Sequence, residues 1–264
     1  MKAVALLALL CVAPAAGAQP AAFEVASVKP DPEAPMFRFS LLPGGQLVVA
    51  GVPLATIIQR AYGMSAFEIA DLPEWAKNEK FAIRAKAPDG SAATTNDTLM
   101  MLRGVLEERF GLRTRVESRD QPVYLLERAG AGVPLGSKLT PSSVDCSTLV
   151  PGSTGPADRA CGGAVRTGGP DPSQPWTFTF RGRTMARLAK DLQLQVGRVV
   201  VDRTSVPGAF DVELSFTPEA RRGSAFAGLS IYTAVREQLG LHLEAARVPV
   251  PILVVEALER PTPD

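Results

Sequence analysis

Residues 107–127 read EERFGLRTRVESRDQPVYLLE, and residues 236–256 read REQLGLHLEAARVPVPILVVE. An offset of 129 positions, Gly111 to Gly240, also aligns Glu108 with Glu237, Leu112 with Leu241, Pro122 with Pro251 and Glu127 with Glu256. Hydrophobic character follows the identities: Phe110 matches Leu239, and the run 123–126 matches 252–255. Each segment reads as a helix end, a glycine stop and two strands. A glycine in this place suits the left-handed position at which helices commonly finish. In the first segment the strands LRTRVES and PVYLLER are expected to be joined by a short polar turn at Arg119-Asp120-Gln121.

Working outward, the same offset aligns Phe81 with Phe210. An offset of 131 aligns Gly51 with Gly182, Leu54 with Met185 and Ala55 with Ala186. A small gap in a loop accounts for the change, and similarity over so long a span reads as an internal repeat. QLVVAGV (46–52) reads as a strand. Pro53 then opens a helix with Leu54, Ile57, Ile58 and Ala61 on one face and Gly63 at its end. FEI (67–69) and FAIRAKA (81–87) read as strands. A second helix spans about 97–110, with Leu99, Leu102, Leu106 and Phe110 inward. In the second half WTFTFRG, VVVD and FDVELSF read as strands, with a turn at 205–208. Thr184 caps a helix whose Met185, Leu188, Ala189 and Leu192 face inward, and Ser230 caps another with Ile231, Val235 and Leu239 inward. LHLEAAR and PILVVEAL complete the unit. The expectation is an α+β fold of two related β-α-β-β-α-β-β halves, with helices packed on small mixed sheets.

The halves are expected at 19–130 and 175–264, separated by a linker at 131–174. That stretch is rich in Gly, Pro and Ser and shows no periodicity. It contains Cys146 and Cys161, whose proximity suggests a disulfide in an oxidising compartment; the alternative is two free thiols. A bridge there would contribute roughly 3 kcal/mol through loop entropy. The compartment is indicated by MKAVALLALLCVAPAAGAQP at 1–20. Lys2, a short apolar run and Ala16-Gly17-Ala18 make a signal peptide of residues 1–18, so the chain is expected to be exported, periplasmic or secreted. The apolar run is shorter than the about 20 residues that span a bilayer, and no transmembrane segment is expected in the mature chain. A net charge of +1 without a sustained basic run argues against nucleic acid as a partner.

Chemistry-bearing motifs are sparse. The chain has one histidine, His242, in a strand where it is expected to face solvent or an interface. No G-x-S-x-G, G-x-x-x-x-G-K-[ST] or G-x-G-x-x-G stretch occurs, so neither a nucleophile elbow nor a phosphate cradle is indicated. No cofactor, metal site or catalytic residue is assigned. Glu107 and Glu108 read as a solvated helix face. Glu24, Asp71, Glu74, Asp202 and Asp211 lie near strand ends and turns, and Asp202 is expected to organise a turn. The two tryptophans, Trp75 and Trp176, with Tyr62 and Tyr232, are the candidate ligand-binding residues. They would line a groove between the halves, since domain junctions commonly hold ligands. For Trp75 the competing expectation is a plug that anchors the loop before FAIRAKA.

FEVASVKP (23–30), GVPLATIIQRAYG (51–63) and LPEWAKNEKFAIRAKAP (72–88) resemble a family of exported bacterial proteins termed soil-associated, a domain of unknown function. LRGVLEERFGLRTRVESRDQPVYLLE, VVVDRTSVPGAFDVELSFTP and AVREQLGLHLEAARVPVPILVVE extend the resemblance over nearly the whole mature chain. Some members are fused to a membrane metallopeptidase of the antibiotic-sensor kind, which implies envelope sensing or docking. Each half also resembles, more loosely, the short N-terminal domain of secretins and TonB-linked receptors, a protein-binding module without catalytic residues. The expectation is a non-catalytic binding or protein-interaction module, with an envelope protein, a peptide or a glycan as partner. The alternative is a secreted carboxylate-dependent hydrolase with its site between the halves.

Overall fold

The structure, a computed structural model, describes residues 22–88, 93–130, 132–144, 165–168, 175–218 and 228–261. The signal segment, Cys146 and Cys161 lie outside the described residues. The fold is α+β. In chain order its strands are β1 (Val25–Pro30), β2 (Arg38–Leu42), β3 (Gln46–Pro53), β4 (Ile69–Ala70), β5 (Lys80–Lys86), β6 (Arg113–Arg128), β7 (Leu139–Pro141), β8 (Val165–Thr167), β9 (Trp176–Arg183), β10 (Val200–Asp202), β11 (Phe210–Phe216) and β12 (Leu241–Ala257). Its helices are α1 (Leu54–Tyr62), α2 (Glu74–Asn78), α3 (Thr95–Phe110), α4 (Met185–Val196) and α5 (Ile231–Leu239).

The segments quoted at the outset form one antiparallel ribbon. β6 and β12 pair from Leu241 opposite Arg128 to Ala257 opposite Arg113, with an irregularity between Val255 and Ala257. The expected turn at Arg119-Asp120-Gln121 does not exist: these residues pair with Val250, Pro249 and Val248. A tight hairpin needs residues that accept positive φ, usually Asn-Gly or Asp-Gly. This stretch has no such pair, and a distant strand satisfies its backbone instead. LHLEAAR and PILVVEAL are likewise one continuous strand. Pro122, Pro249 and Pro251 pair within the stretch where, among the described residues, the ribbon is only two strands wide. Each ring can then sit on an outer edge, where its missing N–H costs no ladder bond.

The ribbon connects the halves crosswise. Near the end of β6, Tyr124–Leu126 pair in parallel with β10 of the second half. Near the end of β12, Leu253 and Val254 pair in parallel with β4 of the first half. The cores follow: Leu126 is buried among second-half residues, and Leu253 and Val255 among first-half residues. Asp120 stands opposite Pro249, the residue 129 positions further on. The expected strand FEI is a 3-10 turn at Ala66–Glu68 followed by the two-residue β4. Glu68 causes this by accepting the Ser65 backbone N–H at 2.8 Å, closing a capping box.

β10, β6, β12 and β4 form, in that order, the central sheet, and each half adds an outer four-stranded antiparallel sheet. The first has the order β1-β5-β3-β2 and the second β7-β11-β9-β8, so the two sheets follow the same path. β7 and β8 fall inside the stretch 131–174 read from sequence as linker. Three residues each, they are too short to show periodicity, and it is pairing with β11 and β9 that makes them strands.

Helices cover one face of each outer sheet. Leu54, Ile57, Ile58 and Ala61 of α1 and Leu102, Leu106 and Phe110 of α3 pack on Leu47, Val49, Phe81 and Ile83. Leu99, expected inward, is only partly buried at the margin of this core. Phe81 and Phe110 meet edge-on with centroids 5.1 Å apart. In the second half Met185, Leu188 and Leu192 of α4 and Ile231, Val235 and Leu239 of α5 pack on Phe178, Phe180, Val212, Leu214 and Phe216. The caps at Thr184 and Ser230 form, each hydroxyl accepting the backbone N–H three residues on. Gly240 ends α5 at φ +66, where a Cβ would stand 2.6 Å from the Pro134 carbonyl oxygen. No described helix is long and apolar enough to cross a membrane.

Because Leu126 belongs to the first half in sequence and to the second in packing, Leu126→Ala is a direct probe of the crosswise arrangement. It is expected to cost about 2–5 kcal/mol, the range for such core truncations. Amide protection should fall in β11 and α5 more than in β3 and β5 when exchange is followed under native conditions. Loss confined to the first sheet would contradict the packing.

Candidate functional site

Since helices cover one face of each outer sheet, the opposite face stays open among the described residues. Alternation decides which side chains reach it. Val28, Leu47, Val49, Phe81, Ile83 and Ala85 are buried toward the helices, so their neighbours face outward. Strand register sets these neighbours in rows across the first sheet. One row is Ser27, Arg84, Val48 and Ser40; the next is Val25, Lys86, Gln46 and Leu42. Beyond the first of these, Lys29 stands opposite Ala82 on one side of the sheet and Arg38 opposite Ala50 on the other. The face thus carries Lys29, Arg38, Arg84 and Lys86, and Asp31, two residues beyond Lys29, accepts the Gly51 backbone N–H at 3.0 Å beside them. Arg38 donates to the Ser40 hydroxyl at 3.3 Å. Neither Lys29 nor Arg84 has an ion pair among the described residues. Between the cations lies a shallow cavity of about 420 Å³, lined by Val25, Gln46, Val48, Arg84 and Lys86 among others.

The second sheet is different at the same place. Its middle strand turns Asp211, Glu213 and Ser215 outward where the first has Ala82, Arg84 and Lys86. Beside them stand Thr177, Thr179 and Arg181. Glu213 is paired with Lys138, the Ser215 and Thr177 hydroxyls are 2.8 Å apart, and Asp211 accepts the Gly182 backbone N–H at 3.0 Å. Charge on this face is largely matched internally. On the first face Lys29 and Arg84 have no such match among the described residues.

The four aromatic candidates divide between two cores. Tyr62 lies at the edge of the first, with Arg103 stacked 4.7 Å from its ring centroid and the Thr114 hydroxyl 3.5 Å from its own. Trp75 sits on α2, where Arg260 stacks at 4.8 Å from the ring centroid and makes a bidentate bond to Glu79. Its surroundings are those of an anchor for the segment after β12. Trp176 packs on Phe178 in the second core at a centroid distance of 6.2 Å. Tyr232 shares a 3.0 Å hydroxyl contact with Tyr124 and borders a cavity of about 610 Å³ with Val133, Arg236 and Glu237. Tyr62 and Tyr232 thus each touch β6, near its two ends, at Thr114 and Tyr124. The halves themselves meet through Ser65, whose hydroxyl is 2.8 Å from Gln193 Oε1, and through Lys190, which donates to the Gly63 carbonyl.

Several carboxylates named from sequence serve local structure. Asp202 accepts both the backbone N–H and the hydroxyl of Thr204, organising the turn as expected. Asp71 lies 3.8 Å from Arg119, and Glu74 pairs with Lys77. His242 lies on β12, with Nδ1 3.0 Å from the Arg128 carbonyl and Nε2 3.6 Å from Glu127. Sequence reading missed the open basic face. FAIRAKA does show cations alternating with apolar residues, but only register shows that Lys29 and Arg38 join them.

One buried charge pair stands apart. Arg183 at the end of β9 and Asp191 on α4 approach to 3.1 Å without hydrogen-bond alignment, and Arg187 adds a 3.4 Å contact. Burial pushes the Asp191 carboxyl above the usual range despite both arginines, and burial lowers the Arg183 pKa despite Asp191. Desolvation therefore outweighs attraction on both sides of the pair.

In class, the chain is a helix-covered antiparallel-sheet protein joined by a long ribbon, with a basic sheet face that is uncovered among the described residues. By sequence it belongs to the family described as "Protein of unknown function (DUF3738)", whose model matches residues 55–258. No curated protein and no solved structure matches it.

The buried pair makes a measurable pH signature. A carboxyl whose folded pKa is raised contributes stability that is present below its unfolded pKa and lost as pH rises through the folded value. Relative to Asp191→Asn, the wild-type protein should therefore gain stability as pH falls through the acid range, as denaturant titrations would show. Arg183→Met alone should destabilise by about 3 kcal/mol, and Arg183→Met with Asp191→Leu should recover most of that loss. An undiminished loss in the double variant would refute the assignment.

Proposed function

We propose that this protein is a non-catalytic binding module, exported by its N-terminal segment, that recognises a partner through the open face of its first sheet. The observation that carries this reading is the set of cations on that face, where the second sheet of the same strand order presents internally matched charge. A stable fold does not require the cations, since the second sheet does without them. An excess of like charge on an exposed face offers a complementary surface to something else and promotes its encounter. The export pattern in residues 1–18 supports a partner in the cell envelope or beyond.

Photo-crosslinking tests the reading. A photoreactive side chain at Val48, in the centre of the face, should capture a defined partner from envelope preparations. The same side chain at Thr179, in the matching place on the second sheet, should not. Equal capture at both positions, or none at Val48, would refute it.

A further inference from the structure

Resting on the binding-module reading, we propose that the occupant of the first sheet's open face is an extended acidic peptide segment of another protein. Charge sets the sign. Lys29, Arg38 and Arg84 outnumber the single carboxylate beside them, Asp31, which the Gly51 N–H already engages, so a basic partner, or a second copy of the same face, would be repelled. Size sets the form. With strands about 4.8 Å apart and a rise of about 3.3 Å per residue, four strands of five residues cover roughly 320 Å². A stable domain–domain interface takes about 800 Å² per partner. The face is too small for that and suits a short extended segment.

Its relief sets the chemistry. The floor consists of short side chains, Ser27, Ser40, Ala50 and Ala82, and Val25 on β1 and Val48 on β3 stand to either side of Arg84 and Lys86 on β5. A sugar ring would stack on an aromatic platform, and the rows contain none. A peptide fits both features: its apolar side chains lie on the valines while its carboxylates reach the cations. Arg84 is the centre of this arrangement. It pairs in register with Ser27 on one side and Val48 on the other, borders the cavity, and its planar fork suits bidentate contact with a carboxylate. In Arg84's place the second sheet holds Glu213, so the fold accepts an acidic residue in such a strand.

The test uses the whole protein and a fluorescein-labelled ten-residue polyglutamate, followed by anisotropy at low ionic strength. Binding is expected, and it should weaken as salt is added because the face is exposed. Arg84→Glu should weaken it at least tenfold, with Arg84→Gln intermediate. Glu213→Arg should leave it within twofold. Thermal melts of each variant show whether the fold persists, and Arg84→Gln decides the question should Arg84→Glu not fold. Undiminished binding by folded Arg84 variants would overturn the proposal. So would absence of binding up to millimolar peptide, or preference for a polyuronate of equal charge, which would identify an acidic glycan. Self-association abolished by Arg84→Glu would identify a second copy instead. If crosslinking at Val48 still captures a partner while polyglutamate fails to bind, the acidic-peptide assignment fails and the binding module stands.

Discussion

The pairing of β6 with β12 is the constraint on which the remaining structure depends. A two-stranded ribbon alone is marginally stable in water. This one is held at both ends, because each strand runs into a core built mainly by the opposite half. Leu126 anchors one end; Leu253 and Val255 anchor the other. The ribbon in turn supplies each half with the strand its short parallel partner needs, β6 for β10 and β12 for β4. Neither sheet-and-helix unit is closed without residues from the far side, so the stability of the two halves is shared.

The local features were legible in the sequence because their causes are local. The glycine stops at 63, 111 and 240, the caps at Thr184 and Ser230, and most of the inward helix faces follow from residue type and a period of 3.6. The ribbon was not legible. At Arg119-Asp120-Gln121 polarity marks exposure, and nothing nearby distinguishes an exposed turn from the exposed middle of a long strand. The deciding partner, Pro249, lies 129 residues away. The same holds for β7 and β8, strands only because β11 and β9 lie beside them. Among candidate site residues, tryptophan and tyrosine attract notice in any sequence, yet the four chosen divide between two cores. Arg84 and Lys86 were visible as an alternation but became a face only when register set them beside Lys29 and Arg38.

The two outer sheets make a comparison within one molecule. Their inner faces obey the same requirement, large apolar residues beneath two helices, and Phe81 and Phe210 stand at matching points of it. Their outer faces are free of that requirement and differ most. Arg84 stands where the other sheet has Glu213, and Lys86 where it has Ser215. Packing explains what is alike between the sheets. What differs has to be explained by what each face meets in solvent.

The contact of Arg260 with Trp75 and Glu79 bears on the order in which the protein can be assembled. Residues 46–110 leave the ribosome well before residues 253–260, yet the first core needs Leu253 and Val255 inside it and Arg260 clasped over α2. Domains usually complete themselves from the N-terminus as synthesis proceeds. Here the earlier half must wait, with part of its apolar surface uncovered, until the later half has been made. Its nascent form is thus a client for whatever shields unfinished chains, and the last strand to arrive is the one that releases it.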